Sequence, residues 1–169
     1  HRLIRRQRQM CIRDRGLVEE VLDSYEVEIA KHDIHMDVTF DDMTYIGNHQ
    51  QIYTLLNNVI GNAIKYNKDH GSVSVRIEEL SEAMKIVVKD SGIGIPLADQ
   101  SRVFERFYRV DKGRSRQRGG TGLGLAIVKH IVSHYKGTIH LMSELDKGTT
   151  IEIILPQQTI TSDESFPQG

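Results

Sequence analysis

Four clusters in this chain combine residue types and spacings that chemistry needs. Asn58, Asn62 and Lys65, with Tyr66 at their border, recur at three- and four-residue steps, so on a helix they share one side. Asparagine is a poor helix-interior residue, because its amide competes for backbone hydrogen bonds. Two of them a turn apart, beside an apolar stripe, point to a polar pocket wall; two incidental surface asparagines are the plainer alternative. Asp90-Ser91-Gly92-Ile93-Gly94 closes a predicted strand. Glycines there let the backbone approach a ligand, and a carboxylate can accept a hydrogen bond from an exocyclic amine. An ordinary Asp-Ser-Gly turn is the competing reading. Gly119-Gly120-Thr121-Gly122-Leu123-Gly124-Leu125 runs straight into a predicted helix, whose free amides and dipole make an anion site. The loop before it carries Lys112, Arg114, Arg116 and Arg118, and no acidic residue falls between Lys112 and Lys129. That concentration points to a polyphosphate more than to a solvated basic loop. The glycines lack dinucleotide spacing, and no Gly-x-x-x-x-Gly-Lys-Ser/Thr occurs. Lys147-Gly148-Thr149-Thr150 by itself reads as a turn. His130 and His134 stand one helical turn apart, but with no Glu after His130 and no third ligand in view a zinc site is disfavoured.

These residues need elements to hold them. Ile52, Leu55, Leu56, Val59, Ile60 and Ala63 give Gln50 to Asn67 the period of a buried helix. Leu17 to Lys31 is helical through Leu17, Val21, Leu22, Tyr25 and Ile29. Ile34 to Phe40, Ser72 to Leu80, Met84 to Lys89, Thr138 to Met142 and Thr149 to Leu155 alternate as strands, with a hairpin at Leu80-Ser81-Glu82-Ala83. Tyr45-Ile46 reads as a short strand. Asp99 to Arg109 reads as a short helix and Leu123 to Tyr135 as a longer one, stopped at Gly137. The order gives an α/β fold: a two-layer α/β sandwich, its mixed sheet covered on one face by helices.

Length and composition set the frame. A chain of 169 residues, 38% hydrophobic and 27% charged, fits one soluble globular domain with an appended arm. A formal net charge of -1 gives no global pull toward nucleic acid or an anionic membrane. The single cysteine, Cys11, excludes an internal disulfide and agrees with a reducing compartment. No apolar run approaches the roughly 20 residues that span a bilayer, and there is no signal-peptide pattern. Residues 1–15 are crowded with arginine and read as a non-native remnant or as a disordered or helical arm; the polar tail, 157–169, reads as disordered.

Taken together, the motifs resemble a family. Asn58-Val-Ile-Gly-Asn62-Ala-Ile-Lys65-Tyr66 is similar to the N box of the sensor histidine kinases of two-component systems, and Asp90-Ser-Gly-Ile-Gly-Ile-Pro96 to their first glycine box. Phe104-Glu-Arg-Phe-Tyr-Arg109 resembles their F box, Gly120-Thr-Gly-Leu-Gly-Leu125 their second glycine box, and Lys147-Gly-Thr-Thr150 a further glycine-threonine element. Order and spacing agree from Ile34 to Pro156. The resemblance implies the Bergerat ATP-binding fold, with ATP and Mg²⁺ as cofactors.

It also implies roles. Asn62 would ligate Mg²⁺ with Asn58 beside it, Lys65 would meet phosphate oxygens, and Tyr66 would stack along the base. Asp90 would read the adenine amino group, with Thr149 nearby and Gly92, Gly94 and Ile95 in the surrounding box. Arg109 would reach the γ-phosphate; Asn58, Lys65 and Arg109 form the implied catalytic set. Gly120, Thr121, Gly122, Leu123, Gly124 and Leu125 would wrap the phosphates, anchored on the core by Phe104 and Phe107. The family's phosphoacceptor, a His followed by an acidic residue and Arg-Thr-Pro, does not occur here. The chain is thus expected to be a catalytic half: a linker helix over 16–32, an ATP-binding domain over 33–156, and a missing upstream dimerisation domain that bears the target histidine. A response regulator, a homodimer in the full-length protein and membrane attachment only through missing segments complete that picture, that of a cytoplasmic domain of a bacterial sensor. A Bergerat-fold ATPase, an anti-sigma-type serine kinase or a non-catalytic docking module are the alternatives, against which the F box and the γ-phosphate contacts speak.

Overall fold

Ser72–Leu80 (β4) and Ala83–Asp90 (β5) alternate apolar and polar side chains along their length and pair antiparallel across the expected hairpin. They form the middle of a five-stranded sheet with His35–Phe40 (β2), Thr138–Glu144 (β6) and Gly148–Pro156 (β7), in the order β2-β4-β5-β7-β6. Only β2 runs parallel to its neighbour; all other pairs are antiparallel, so the sheet is mixed, as expected. The computed structural model describes residues 9–110 and 122–158. The expectations placed on Lys112, Arg114, Arg116, Arg118, Gly119, Gly120, Thr121 and the end of the tail lie outside them.

One face of the sheet carries the core. Val73, Val75, Ile77, Met84, Ile86, Val88, Ile151, Ile153 and Leu155 point into it, and their alternate neighbours stay partly or fully exposed. The helix His49–Lys65 (α3) lies against this face through Ile52, Leu55, Leu56, Val59, Ile60, Ala63 and Ile64, the stripe that its period predicts. Each of the larger of these side chains contributes about 1.5–3 kcal/mol by leaving water. Asn48 caps the helix, its Oδ1 accepting from the Gln51 N–H at 3.1 Å. Gly124–His134 (α5) packs beside α3 with Val128, Ile131 and Val132 buried.

The linker region differs from a single helix. Asp14–Ser24 (α1) and Glu26–His32 (α2) are separated at Tyr25. That side chain leans onto α3, where its hydroxyl donates to the Asn57 carbonyl at 3.4 Å. Gly61 makes the approach possible: a Cβ there would stand 2.2 Å from the Tyr25 hydroxyl. Gln9–Arg13 (β1) is a strand paired with Thr44–Asn48 (β3), not the expected disordered or helical arm. The edge of β3 presents backbone groups that need partners, and β1 supplies them.

The segment after β5 also departs from expectation. Only Leu97–Gln100 (α4) is helical in the region expected to be a helix over Asp99 to Arg109. Beyond it the chain advances by three-residue turns, with N–H groups of Arg102, Glu105 and Tyr108 donating to the carbonyls of Asp99, Arg102 and Glu105. Phe107 then takes a left-handed φ of 64°, which no helix accommodates.

Candidate active site

α3 and the sheet it covers leave a cavity of about 600 Å³ between them and the segments that follow β5 and precede α5. Its helix wall is Asn58, Asn62, Lys65 and Tyr66, and its apolar floor is Val59, Ala63, Val88 and Ile151. Asp90 and Thr149 enter from adjoining strand ends; Gly94 and Ile95 come from the turn after β5, Arg109 from the turns beyond it, and Gly122, Gly124 and Leu125 from the start of α5. The polar line predicted on α3 is therefore a pocket wall. The five separated motifs converge on one space.

Two neighbours fix the long axis of the cavity. At the C-terminal end of α3, the Ile93 N–H donates to the Tyr66 carbonyl at 3.1 Å, which brings the turn after Asp90 against Tyr66. Two turns earlier, Gly124 backs onto Asn58: a Cβ there would stand 2.9 Å from Asn58 Oδ1. Asn58 and Tyr66 are about 12 Å apart along the helix. The amide of Asn58 is oriented by its own Nδ2, which donates to the Thr54 carbonyl at 2.8 Å.

The Asp90 carboxylate is held by backbone. Its Oδ1 accepts from the Gly92 N–H at 2.8 Å and the Thr149 N–H at 3.2 Å. Gly148 permits the second contact: its φ is +121°, and a Cβ would lie 2.0 Å from the Asp90 carbonyl. Burial raises the carboxyl pKa to about 6, and the two N–H groups offset part of that rise. Asp90 is thus a carboxylate kept in a poorly solvated place.

Several expected site residues do not line the cavity. Gly92 acts through Asp90 instead, and Leu123 is not part of the wall. Phe107 is 71% exposed, because its left-handed backbone turns the ring outward; it does not anchor anything on the core, and Phe104 is only half-buried. Val103 takes that place, buried and facing the cavity. The Phe107 backbone has a different use: its N–H donates to the Gly122 carbonyl at 2.9 Å, tying the Phe104–Arg109 segment to the second glycine box. Gly120 and Thr121 are outside the described residues. His130 and His134 are exposed, and the described residues hold no group of three metal-ligating side chains.

Other contributors had no role assigned from the sequence. Tyr108 and Asp99 both line the cavity and are hydrogen-bonded to each other, with the Arg102 guanidinium 4.4 Å from the centre of the Tyr108 ring. That bond to Asp99 is the main reason that the Tyr108 pKa is raised. Asn67, the one buried polar residue among those described, donates to the carbonyls of Ala63 and Ser72 and accepts from the Lys68 N–H and the Ser91 hydroxyl. It ties the end of α3 to the strands that carry Asp90.

Residues 47–159 match the family of histidine kinase-, DNA gyrase B- and HSP90-like ATPases. The chain belongs to that family. It is 40% identical over 151 residues to the sensor histidine kinase RppB of Synechocystis sp., covering 88% of this chain and 33% of that protein. With the sensor histidine kinase WalK of Bacillus subtilis it shares 39% identity over 156 residues, 85% of this chain and 24% of that one. The solved mycobacterial sensor histidine kinase MprB superposes with a TM-score of 0.75 at 29% identity, over 90% of this chain and 100% of that structure. The chain thus spans 33% and 24% of these two relatives, and its fold is that of histidine kinase catalytic domains. No helix among the described residues is long and apolar enough to cross a membrane.

Proposed function

We propose that this chain is the ATP-binding catalytic domain of a two-component sensor histidine kinase. It holds ATP along α3 and passes the γ-phosphoryl group to a histidine on a separate dimerisation domain, for relay to a response regulator. The observation that carries this reading is the polarity of the cavity. A half-buried carboxylate lies at the Tyr66 end, and about two helical turns away Asn58 meets a glycine-rich helix start. Such an arrangement suits a nucleotide with its base at Asp90 and its phosphates beside Asn58, Asn62, Lys65 and Arg109.

Each group has a task in that pose. Asp90 Oδ2 accepts the exocyclic amine, because Oδ1 is already occupied by two N–H groups. Tyr66 and the apolar floor cover the base. Lys65 and Arg109 place positive charge where the γ-phosphate moves, which is what phosphoryl transfer chiefly requires of a protein. The oxygens of Asn58 and Asn62 fit Mg²⁺, a hard cation that takes oxygen donors and leaves most of its neutralisation to phosphates and water. Bound there, Mg²⁺ supplies charge neutralisation of the triphosphate. The full-length protein is proposed to act as a homodimer, with any membrane attachment through segments outside this chain.

The test is phosphotransfer from radiolabelled ATP to a separately supplied dimerisation domain bearing a His-Glu-Leu-Arg-Thr-Pro stretch. An acid-labile, base-stable label on that domain is the expected result. An acid-stable label points to a serine kinase. ATP hydrolysis without label on any protein points to an ATPase, and ATP binding without turnover to a docking module.

A further inference from the structure

A threonine hydroxyl can donate or accept, so by itself it cannot tell an amine from a carbonyl. Thr149 lines the cavity beside Asp90 and meets this difficulty. It escapes only if its single hydrogen is committed elsewhere. Ser143 lies directly across from Thr149 in the β6–β7 pair, and the two hydroxyl oxygens are 2.8 Å apart. Ser143 Oγ has two further neighbours: the Ile95 N–H at 2.8 Å and the Gly148 carbonyl at 3.0 Å.

The directions follow by elimination. The Ile95 N–H can only donate and the Gly148 carbonyl can only accept. Ser143 therefore gives its one hydrogen to Gly148, and its lone pairs receive the Ile95 N–H and the Thr149 hydroxyl hydrogen. The opposite polarity, Ser143 donating to Thr149, would strip the Gly148 carbonyl of this donor. Gln100 supports the arrangement, because its Nε2 donates to both the Ile95 and the Ser143 carbonyls at 2.9 Å and so clips the two backbones together.

We infer that Ser143 is a specificity-positioning residue: it takes up the Thr149 hydrogen, so that Thr149 shows the cavity only lone pairs. With Asp90 beside it, the end of the cavity then presents acceptors alone. Such a surface welcomes an amine at the purine 6-position and opposes a carbonyl there, which would bring a third acceptor against two. Without Ser143 the Thr149 hydroxyl rotates freely and can donate to that carbonyl. The inference rests on the ATP reading above.

ATP and inosine triphosphate isolate the effect, because they share ribose and phosphates and differ at the 6-position and in the N1 hydrogen that goes with it. Titration calorimetry of both nucleotides is run on the wild-type chain and on Ser143→Ala, Ser143→Cys and Ser143→Thr. The wild type is expected to favour ATP. Ser143→Ala is expected to narrow the ratio about tenfold, mainly through tighter inosine triphosphate binding. Ser143→Cys, whose sulfur is a weak acceptor, should do the same and serves if the alanine variant fails to fold; Ser143→Thr should restore the ratio. A wild type that favours ATP with an alanine or cysteine variant that keeps the ratio, or loses both nucleotides in equal proportion, overturns the inference alone. A wild type with no preference overturns the base-reading site and this inference with it.

Discussion

The two ends of the cavity are built differently. Around Asp90 the walls are held by backbone amides, by the hydroxyls of Ser143 and Thr149, and by Asn67 and Gln100 reaching across elements. Most of these bonds tie a strand end to another element, and Asn67 links the end of α3 to Ser72 at the start of β4. Along the outer rim, from Leu97 to Val110, the chain advances by single turns and shows Leu97 at 84% and Phe107 at 71% exposure. Gln100, at its start, still reaches the Ile95 and Ser143 carbonyls; past it, the ion pair between Arg102 and Glu105 and the bond from Tyr108 to Asp99 hold the turns to one another rather than to the sheet. The base end is preorganised and the rim is only fastened. A rigid scaffold next to a low-stability segment is the arrangement that a domain needs if it must recognise one nucleotide and still let it enter and leave.

The largest effect is expected on the helix wall that serves both ends. Asn62→Ala should cost Mg-dependent ATP affinity more than the roughly 10–100-fold typical of losing an outer-shell partner, with an unchanged circular dichroism spectrum. Titration with and without magnesium checks it; wild-type affinity in that variant would remove Asn62 from the site. Next comes the anchor of the base end. Asn67→Ala takes the side-chain donor from the buried Ala63 carbonyl and from the Ser72 carbonyl, and the acceptor from the Lys68 N–H, and should lower stability by about 2–3 kcal/mol in urea unfolding. A loss under about 1 kcal/mol would mean that the base end is no better braced than an ordinary surface turn.

Asp90 sets function against stability. Its folded pKa, about 6, lies above the ordinary carboxylate value, so the native state binds the proton more tightly than the unfolded chain does. The stabilisation that this gives is complete below about pH 4 and is lost as pH rises through about 6. Keeping the site ionised at neutral pH therefore costs about 1–2 kcal/mol after allowance for partial solvent screening. Asp90→Asn should raise stability by that amount at pH 7.5, show no gain at pH 4, and weaken discrimination of ATP from GTP. In the wild type, the preference for ATP should fall as pH drops below about 6, where the protonated carboxyl ceases to be a pure acceptor. A variant less stable than wild type at pH 7.5 would contradict the burial that sets the shift.

The same contrast decides what could be read from the residues alone. The α3 stripe was legible because burial imposes a period, and Asn58 and Asn62 stood out because that period does not explain them. Asp90 showed itself through the glycines that follow it. The strands and their hairpin were plain, since one covered face enforces alternation. The rim was not legible. Phe104 and Phe107 look like core anchors on one short helix, but a left-handed backbone at 107 turns the second outward, and nothing local to a phenylalanine announces that backbone. Ser143 was invisible for the opposite reason: one serine in an alternating strand is ordinary, and only its three neighbours make it informative. Asn67, two residues past the end of α3, would pass for a terminating residue in any sequence. Bonds between distant elements leave no spacing behind.

The smallest effect belongs to the rim. Tyr108→Phe removes the hydroxyl that bonds Asp99 but keeps the ring on which Arg102 rests. Surface ties of this kind contribute little, so stability should change by no more than about 0.5 kcal/mol. Arg109 follows directly in the chain and lines the cavity, so losing the bond is expected to widen the positions open to that arginine. ATP affinity is then expected to fall by about threefold or less, while the preference for ATP over inosine triphosphate, set at the other end, stays where it was. A fall beyond about tenfold would show the rim to be as preorganised as the strand ends. A changed base preference would mean that the two ends are coupled through the turns between Ile95 and Asp99, and the division between a rigid reader and a loosely fastened edge would have to be withdrawn.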